Sequence, residues 1–273
     1  MPDSNPMLIA VAPNGARRTK RDHPALPITP AELAATARAC LDAGAAMIHL
    51  HVRDAAQRHS IAPEHYLPAI AAIRKSVGKE MLIQVTSEAA GIYDRHQQMQ
   101  AMLQLMPEAV SIALRELVPD ATALEDARQF FQRLHAAGSR IQFILYDCDD
   151  VTRYHQLCAA GVIPGGGHLL LFVLGRYSTE LPVPADLAPM LARNIAHNPW
   201  MCCAFGHREQ EIMQQAARLG GHARVGFENN LQRADATPAA SNTELVAGVA
   251  ALASACGRSV ASAAQAALIY PHS

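Results

Sequence analysis

Six cysteines in 273 residues make no CxxC pair, so the chain offers neither a zinc knuckle nor a thioredoxin-like redox site. Cys40, Cys148, Cys158, Cys202, Cys203 and Cys256 read as reduced, mostly packed thiols. An excess of charge is also missing: 23 Lys plus Arg stand against 24 Asp plus Glu, for a net charge of -1. No strong basic field therefore exists to hold nucleic acid or an anionic membrane. Runs such as LLLFVL at 169–174 fall far short of the roughly 20 apolar residues of a membrane span. The phosphate-cradling fingerprints GxGxxG and GxxxxGK[ST] are absent, which weakens a nucleotide-binding reading. No low-complexity segment or linker marks a second domain, so one domain over residues 1–273 is expected. The N-terminal MPDSNPMLIAVAPNGARR has an apolar stretch about half as long as a signal-peptide core, with no basic segment before it. A cytoplasmic protein is expected.

At 50% apolar and 17% charged residues, the chain is too apolar and too weakly charged to be disordered. Eight short apolar runs stand out: 7–12, 46–52, 80–86, 108–114, 140–146, 168–174, 200–205 and 223–228. They recur at about 30 residues, the size of one βα unit. Most are continuously apolar, as parallel strands covered on both faces are. Thr29-Pro30-Ala31-Glu32 reads as a capping box with proline at the first helical position, and Ser241-Asn242-Thr243-Glu244 as a second box. Gly44, Gly78, Gly138, Gly161 and Gly220 each end a helical pattern before a strand run. Eight strands in one chain of this length predict an α/β fold closed as a (β/α)8 TIM barrel.

His49-Leu50-His51 lies in the second run. Residues two apart on a strand share a face, and the C-terminal ends of barrel strands carry active sites. Two imidazoles on one side of an apolar strand are costly unless paired or ligated. Glu228 closes the eighth run. In a closed barrel the eighth strand neighbours the first, so its tip is one strand removed from the second. Two His and one Glu form the ligand set of an open, catalytic zinc site, although manganese, iron or cobalt also accept these donors. Arg224 shares the parity of Glu228 and would point inward toward a carboxylate. Arg17 follows the first strand on the same rim. Thr86 ends the third strand and Ser111 lies in the fourth; each hydroxyl suits either a ligand oxygen or a local backbone partner. His207, after the seventh strand, reads as a solvated loop residue rather than a fourth ligand.

The segment from His23 to Asp54 resembles the β-keto acid cleavage enzymes. So do Ile48-His49-Leu50-His51, Phe172-Val173-Leu174-Gly175 and the block from Gly221 to Glu228. The resemblance implies a zinc-dependent (β/α)8 barrel. Such an enzyme reacts a β-keto acid with acetyl-CoA, giving acetoacetate and a new acyl-CoA. It places zinc on His49, His51 and Glu228, makes Arg224 the catalytic arginine, and gives Thr86 and Ser111 to substrate binding. Acetyl-CoA is then a co-substrate, and a homo-oligomer such as a tetramer is implied.

Three departures follow from the same resemblance. Asn229 stands where an acidic residue usually follows the zinc-binding glutamate. It can orient Arg224 but cannot take a proton near neutral pH. Ile144 stands where a fifth-strand glutamate is usual, with Asp147 nearby as a substitute. Arg17 stands where a glutamate reads the substrate's amino group, which favours anionic or hydroxylated tails. Two other readings compete. One is a metal-dependent amidohydrolase, which would need histidines at the ends of the fifth and sixth strands. The other is a barrel that holds metal and a keto acid or acyl-CoA without turnover.

Overall fold

The computed structural model describes residues 5–176 and 180–272. Its barrel strands are β1 (Ile9–Val11), β2 (Met47–Leu50), β3 (Leu82–Thr86), β4 (Ala109–Ala113), β5 (Arg140–Leu145), β6 (Leu169–Leu174), β7 (Trp200–Ala204) and β8 (His222–Val225). They pair in parallel in chain order, and β8 closes on β1. Each of the eight runs thus became one strand of the predicted barrel. The helices of seven residues or more are α1 (Pro30–Asp42), α2 (Pro63–Val77), α3 (Arg95–Leu105), α4 (Leu124–Ala136), α5 (Cys148–Ala159), α6 (Leu187–Arg193), α7 (Glu209–Arg218), α8 (Asn242–Ala255) and α9 (Ala263–Ile269). No helix among the described residues is long and apolar enough to cross a membrane.

Strand periodicity divides the core in two. Ile48, Leu50, Ile83, Val85, Val110, Ile112, Phe143 and Leu145 face outward and pack beneath the helices. Leu8, Ala10, Met47, Ala109, Leu169, Leu171, Met201 and Cys203 fill the barrel, and Tyr270 joins them from the C-terminal segment. Burying each large side chain contributes roughly 1.5–3 kcal/mol. The inward alanines leave room for polar side chains nearer the C-terminal rim.

The helix signals largely hold. Thr29 and Glu32 exchange both bonds of a capping box at α1. The five helix-ending glycines all have positive φ. The second box is only half formed. Ser241 accepts from Glu244 N, while the Glu244 carboxylate turns to Ala240 N and Arg233. Two strands stop two or more residues short of their expected C-terminal ends. β2 stops at Leu50, and Val52–Arg53 instead pairs antiparallel with His59–Ser60 in a hairpin over the barrel mouth. β8 stops at Val225, and residues 226–229 form a turn.

Candidate active site

His49 is the inward residue of β2 above Met47, and His51 follows one step beyond the end of that strand. Glu228 arrives from the turn after β8, so strand parity does not place it; two glycines do. Gly226 has φ +138, and a Cβ there would sit 2.5 Å from the Ala12 carbonyl oxygen. Gly15, in the loop after β1, has φ +61, and a Cβ would sit 2.6 Å from Glu228 Cγ. Both positions need glycine to let the two loops close on each other. Asn242 ties the same loops, accepting from Phe227 N and donating to the Pro13 carbonyl.

Three donor atoms converge as a result. His49 Nε2 and His51 Nε2 are 3.1 Å apart, and Glu228 Oε2 lies 3.5 Å from the first and 3.2 Å from the second. An ion bound tetrahedrally through bonds of about 2.0–2.1 Å holds its ligand atoms about 3.3 Å apart. The donor set therefore fits zinc in both chemistry and spacing. These three residues are the one His/Cys/Asp/Glu group of metal-holding geometry among the described residues. His207 is not in it.

Burial pushes the imidazoles down, His49 to about 4 and His51 to about 3, although Glu228 opposes the shift in both. Burial alone would raise the Glu228 carboxyl. Arg224, His49 and His51 beside it outweigh burial and hold it well below the usual carboxylate range. At neutral pH the site therefore presents two neutral imidazoles and one carboxylate, the ionisation state a divalent metal requires.

Arg224 is buried in β8, and its Nη2 donates to Glu228 Oε1 at 3.1 Å and to Cys203 Sγ at 3.3 Å. Its Nε and Nη1 have no hydrogen-bond partner among the described residues. Burial works to lower this guanidinium, but Cys203 and Glu228 carry it above its ordinary value. Asn229, expected to orient Arg224, makes no bond to it. Both its side-chain polar atoms are buried without a partner. Behind this turn, Glu209 at the start of α7 accepts from Asn230 Nδ2 at 3.1 Å, and burial pushes it up to about 8.

A narrow cavity of about 20 Å³ adjoins these groups, lined by His49, Thr86, Arg224 and Glu228 and walled by Ala113, Ile144, Val173 and Phe205. Thr86 Oγ1 accepts from Glu88 N at 3.0 Å, the local bond expected of it. Ser111, beside Thr86 in register, is buried with Oγ unpartnered. Arg17 is exposed and lines a second, outer cavity with Asn14 and Arg18. Asp147 does not substitute for a fifth-strand acid. It caps α5 and pairs with Arg115 at 2.7 Å on the exterior, because the chain has already turned out of the barrel.

Glu88 and Arg176 are the functional candidates that strand reading did not single out. Each stands two residues beyond its strand, on the loops after β3 and β6. Arg176 Nη2 donates to Glu88 Oε1 at 2.8 Å, and both residues line both cavities. Glu88 Oε2 lies 3.7 Å from His51 Nε2. Burial, and then Glu228, pushes the Glu88 carboxyl up to about 7 against the pull of Arg176. The available signal was the parity of Gln84, Thr86 and Glu88 and the position of both charges at the active rim.

The class that this barrel and its rim define is matched by comparison with known proteins. Residues 6–270 match the family model described as beta-keto acid cleavage enzyme, and the chain belongs to that family. It is 29% identical to the 3-oxoadipate:acetyl-CoA acetyltransferase of Cupriavidus necator, over 96% of this chain and 94% of that protein. It is 27% identical to the 3-keto-5-aminohexanoate cleavage enzyme of Acetoanaerobium sticklandii, over 95% and 96% respectively. Among solved structures, a ternary complex of ObcA with a C4-CoA adduct and oxalate shares the fold. Its TM-score is 0.72 at 18% identity, covering 90% of this chain and 67% of that one. Carbon–carbon bond cleavage coupled to acyl transfer is thus the activity class of the chain. The ends of β5 and β6 carry Tyr146 and Arg176, not the histidines of an amidohydrolase.

Proposed function

We propose that the chain condenses a β-keto acid with acetyl-CoA, using zinc held by His49, His51 and Glu228, on acids whose tail is anionic or hydroxylated. The carrying observation is the convergence of those three donor atoms beside the two unused donors of Arg224. Bound zinc supplies Lewis-acid stabilisation for negative charge developing on the keto acid.

The chain's own residues do the rest. Arg224 holds the substrate carboxylate or the developing enolate oxygen with its planar fork. Thr86 and Ser111 offer hydroxyls to substrate oxygens. Asn229 cannot take a proton, and Glu228 serves as ligand, so Glu88 is the cavity carboxylate left to remove the proton from C2. C2 then bonds to the acetyl carbonyl carbon and the CoA thiolate leaves. That thiolate adds to the 3-keto carbon, the C2–C3 bond breaks, C2 takes back the proton held by Glu88, and acetoacetate and the new acyl-CoA part. The apolar wall of Ala113, Ile144, Val173 and Phe205 keeps water from competing with the thiolate. Arg17 at the outer cavity favours a distal carboxylate or hydroxyl, a reading supported by the name of the 3-oxoadipate-acting relative.

A reduced, cytoplasmic setting is supported by six cysteines that are all free. Self-association is supported by the exposed Leu67 and Met106 on one groove between α2 and α3. A coupled assay for acetoacetate, run with acetyl-CoA and a panel of β-keto acids, tests the function. Turnover dependent on both substrates and abolished by a chelator is expected. Turnover that survives complete metal removal would refute the zinc role.

A further inference from the structure

A chain of buried polar groups runs up the inside of the barrel and ends on one imidazole. At the N-terminal end, the one hydroxyl hydrogen of Tyr270 is shared between two main-chain carbonyls, Arg140 O at 2.8 Å and Val110 O at 3.0 Å. Those bonds turn the lone pairs of its oxygen upward. Gln84 Nε2 donates to that oxygen at 3.2 Å and to Gln142 Oε1 at 3.1 Å. With its amino group so engaged, the Gln84 amide can point only its carbonyl at β2, where His49 is its partner in register. His49 Nδ1 lies 2.8 Å from Gln84 Oε1. A carbonyl oxygen only accepts, so Nδ1 carries the hydrogen, and the lone pair of the ring stands on Nε2. That is the nitrogen facing His51 and Glu228.

We infer that Gln84 and Tyr270 are positioning residues for the metal centre: the C-terminal tyrosine fixes the sense of the Gln84 amide, and the amide fixes the tautomer and ring orientation of His49. Every member is fully or almost fully buried, so water does not offer the amide an alternative partner. A neutral imidazole in the other tautomer would aim a hydrogen, not a lone pair, at the ion. Partners of this kind typically change metal affinity 10–100-fold when removed. The inference makes the C-terminal segment part of the active site, although α9 and Tyr270 lie at the opposite end of the barrel. It rests on the proposed use of His49 as a ligand.

The test combines two readouts. In the metal-free wild type, 15N NMR of the labelled histidines should show His49 with its hydrogen on Nδ1. Loading with Zn2+ or Co2+ against a competing chelator should then show affinity falling about tenfold in Tyr270→Phe and 10–100-fold in Gln84→Met. Gln84→Glu keeps an acceptor for Nδ1–H and should bind metal more tightly than Gln84→Met. In Tyr270→Phe the Nε2–H tautomer of His49 should become visible. A wild-type His49 with its hydrogen on Nε2, or folded Gln84→Met with wild-type affinity, would overturn the inference. If Gln84→Met does not fold, the wild-type tautomer and Tyr270→Phe decide alone. A wild type that takes up no divalent metal refutes the ligand assignment instead, and leaves the tautomer measurement standing.

Discussion

Arg224 Nη2 and Glu228 Oε1 meet at 3.1 Å although β8 ends between them and the chain reverses at Gly226. One oxygen of Glu228 is thereby committed to a buried guanidinium, and the other is turned toward the two imidazoles. The arginine that lines the cavity also fixes the ionisation of the Glu228 carboxylate, so the two are physically coupled.

Substituting the arginine tests that coupling. Arg224→Lys keeps the charge but loses the fork that reaches Glu228, Cys203 and a ligand at once. Turnover should fall at least about tenfold, equivalent to about 1.4 kcal/mol of transition-state stabilisation. Steady-state kinetics of Arg224→Lys and Arg224→Ala measure it. Near wild-type turnover in Arg224→Ala would make this residue purely structural.

Metal content tests the ligands. His49→Ala and Glu228→Ala should each lose the stoichiometric divalent ion while keeping the barrel's circular dichroism, because an open catalytic site lies outside the apolar core. Elemental analysis finding about one ion per chain in either variant would remove that residue from the ligand set.

The proton acceptor is separable from the later steps. Glu88→Gln should keep metal but lower turnover by about 100-fold or more, the usual worth of a positioned base. Exchange of the C2 hydrogen of the keto acid into D2O, followed by NMR without acetyl-CoA, should slow in parallel. Unchanged exchange in Glu88→Gln would assign the base elsewhere.

A pH experiment addresses the buried carboxyl behind the Glu228 turn. Glu209 is raised to about 8 in the folded chain, from an ordinary value of 4.5. The folded state thus holds a proton that the unfolded state has lost between those values. That contribution is full below about pH 4.5 and disappears as pH rises through 8. Glu209→Gln cannot lose it. The stability of the variant relative to wild type should therefore improve from pH 5 to pH 9, by at least about 1.4 kcal/mol. Urea unfolding at the two pH values measures the change, and a constant difference would contradict it.

Tail selectivity can be read from kcat/KM for 3-oxoadipate against 3-keto-5-aminohexanoate. Wild type should prefer the former, and Arg17→Glu should shift the ratio toward the amino substrate, because like charges in a partly desolvated mouth repel. Arg17 is exposed, so the shift should shrink as salt is raised. A ratio untouched by Arg17→Glu would mean that Arg17 does not read the tail.

The barrel was legible because period, spacing and helix ends agreed. The eight runs became eight strands, and five glycines ended helices with positive φ. The His49–His51 pair could be read from alternation alone. Glu228 reaches the two histidines by another route than as the last residue of an eighth strand: Gly226 breaks the strand, and the turn delivers the carboxylate. Glu88 and Arg176 were less legible because loops carry no periodicity, and their meeting at 2.8 Å joins residues 88 positions apart. Asp147 misled because nearness in sequence to a strand end does not say on which side of the barrel a helix cap falls.

The most direct measurement follows carbon. Acetyl-CoA labelled with 13C at the acetyl carbonyl is supplied with unlabelled 3-oxoadipate and the zinc-loaded protein, and the products are read by NMR and mass spectrometry. The account predicts acetoacetate labelled at C3 together with unlabelled succinyl-CoA in equal amount. Unlabelled acetoacetate, or 3-oxoadipate consumed without loss of acetyl-CoA, would contradict it.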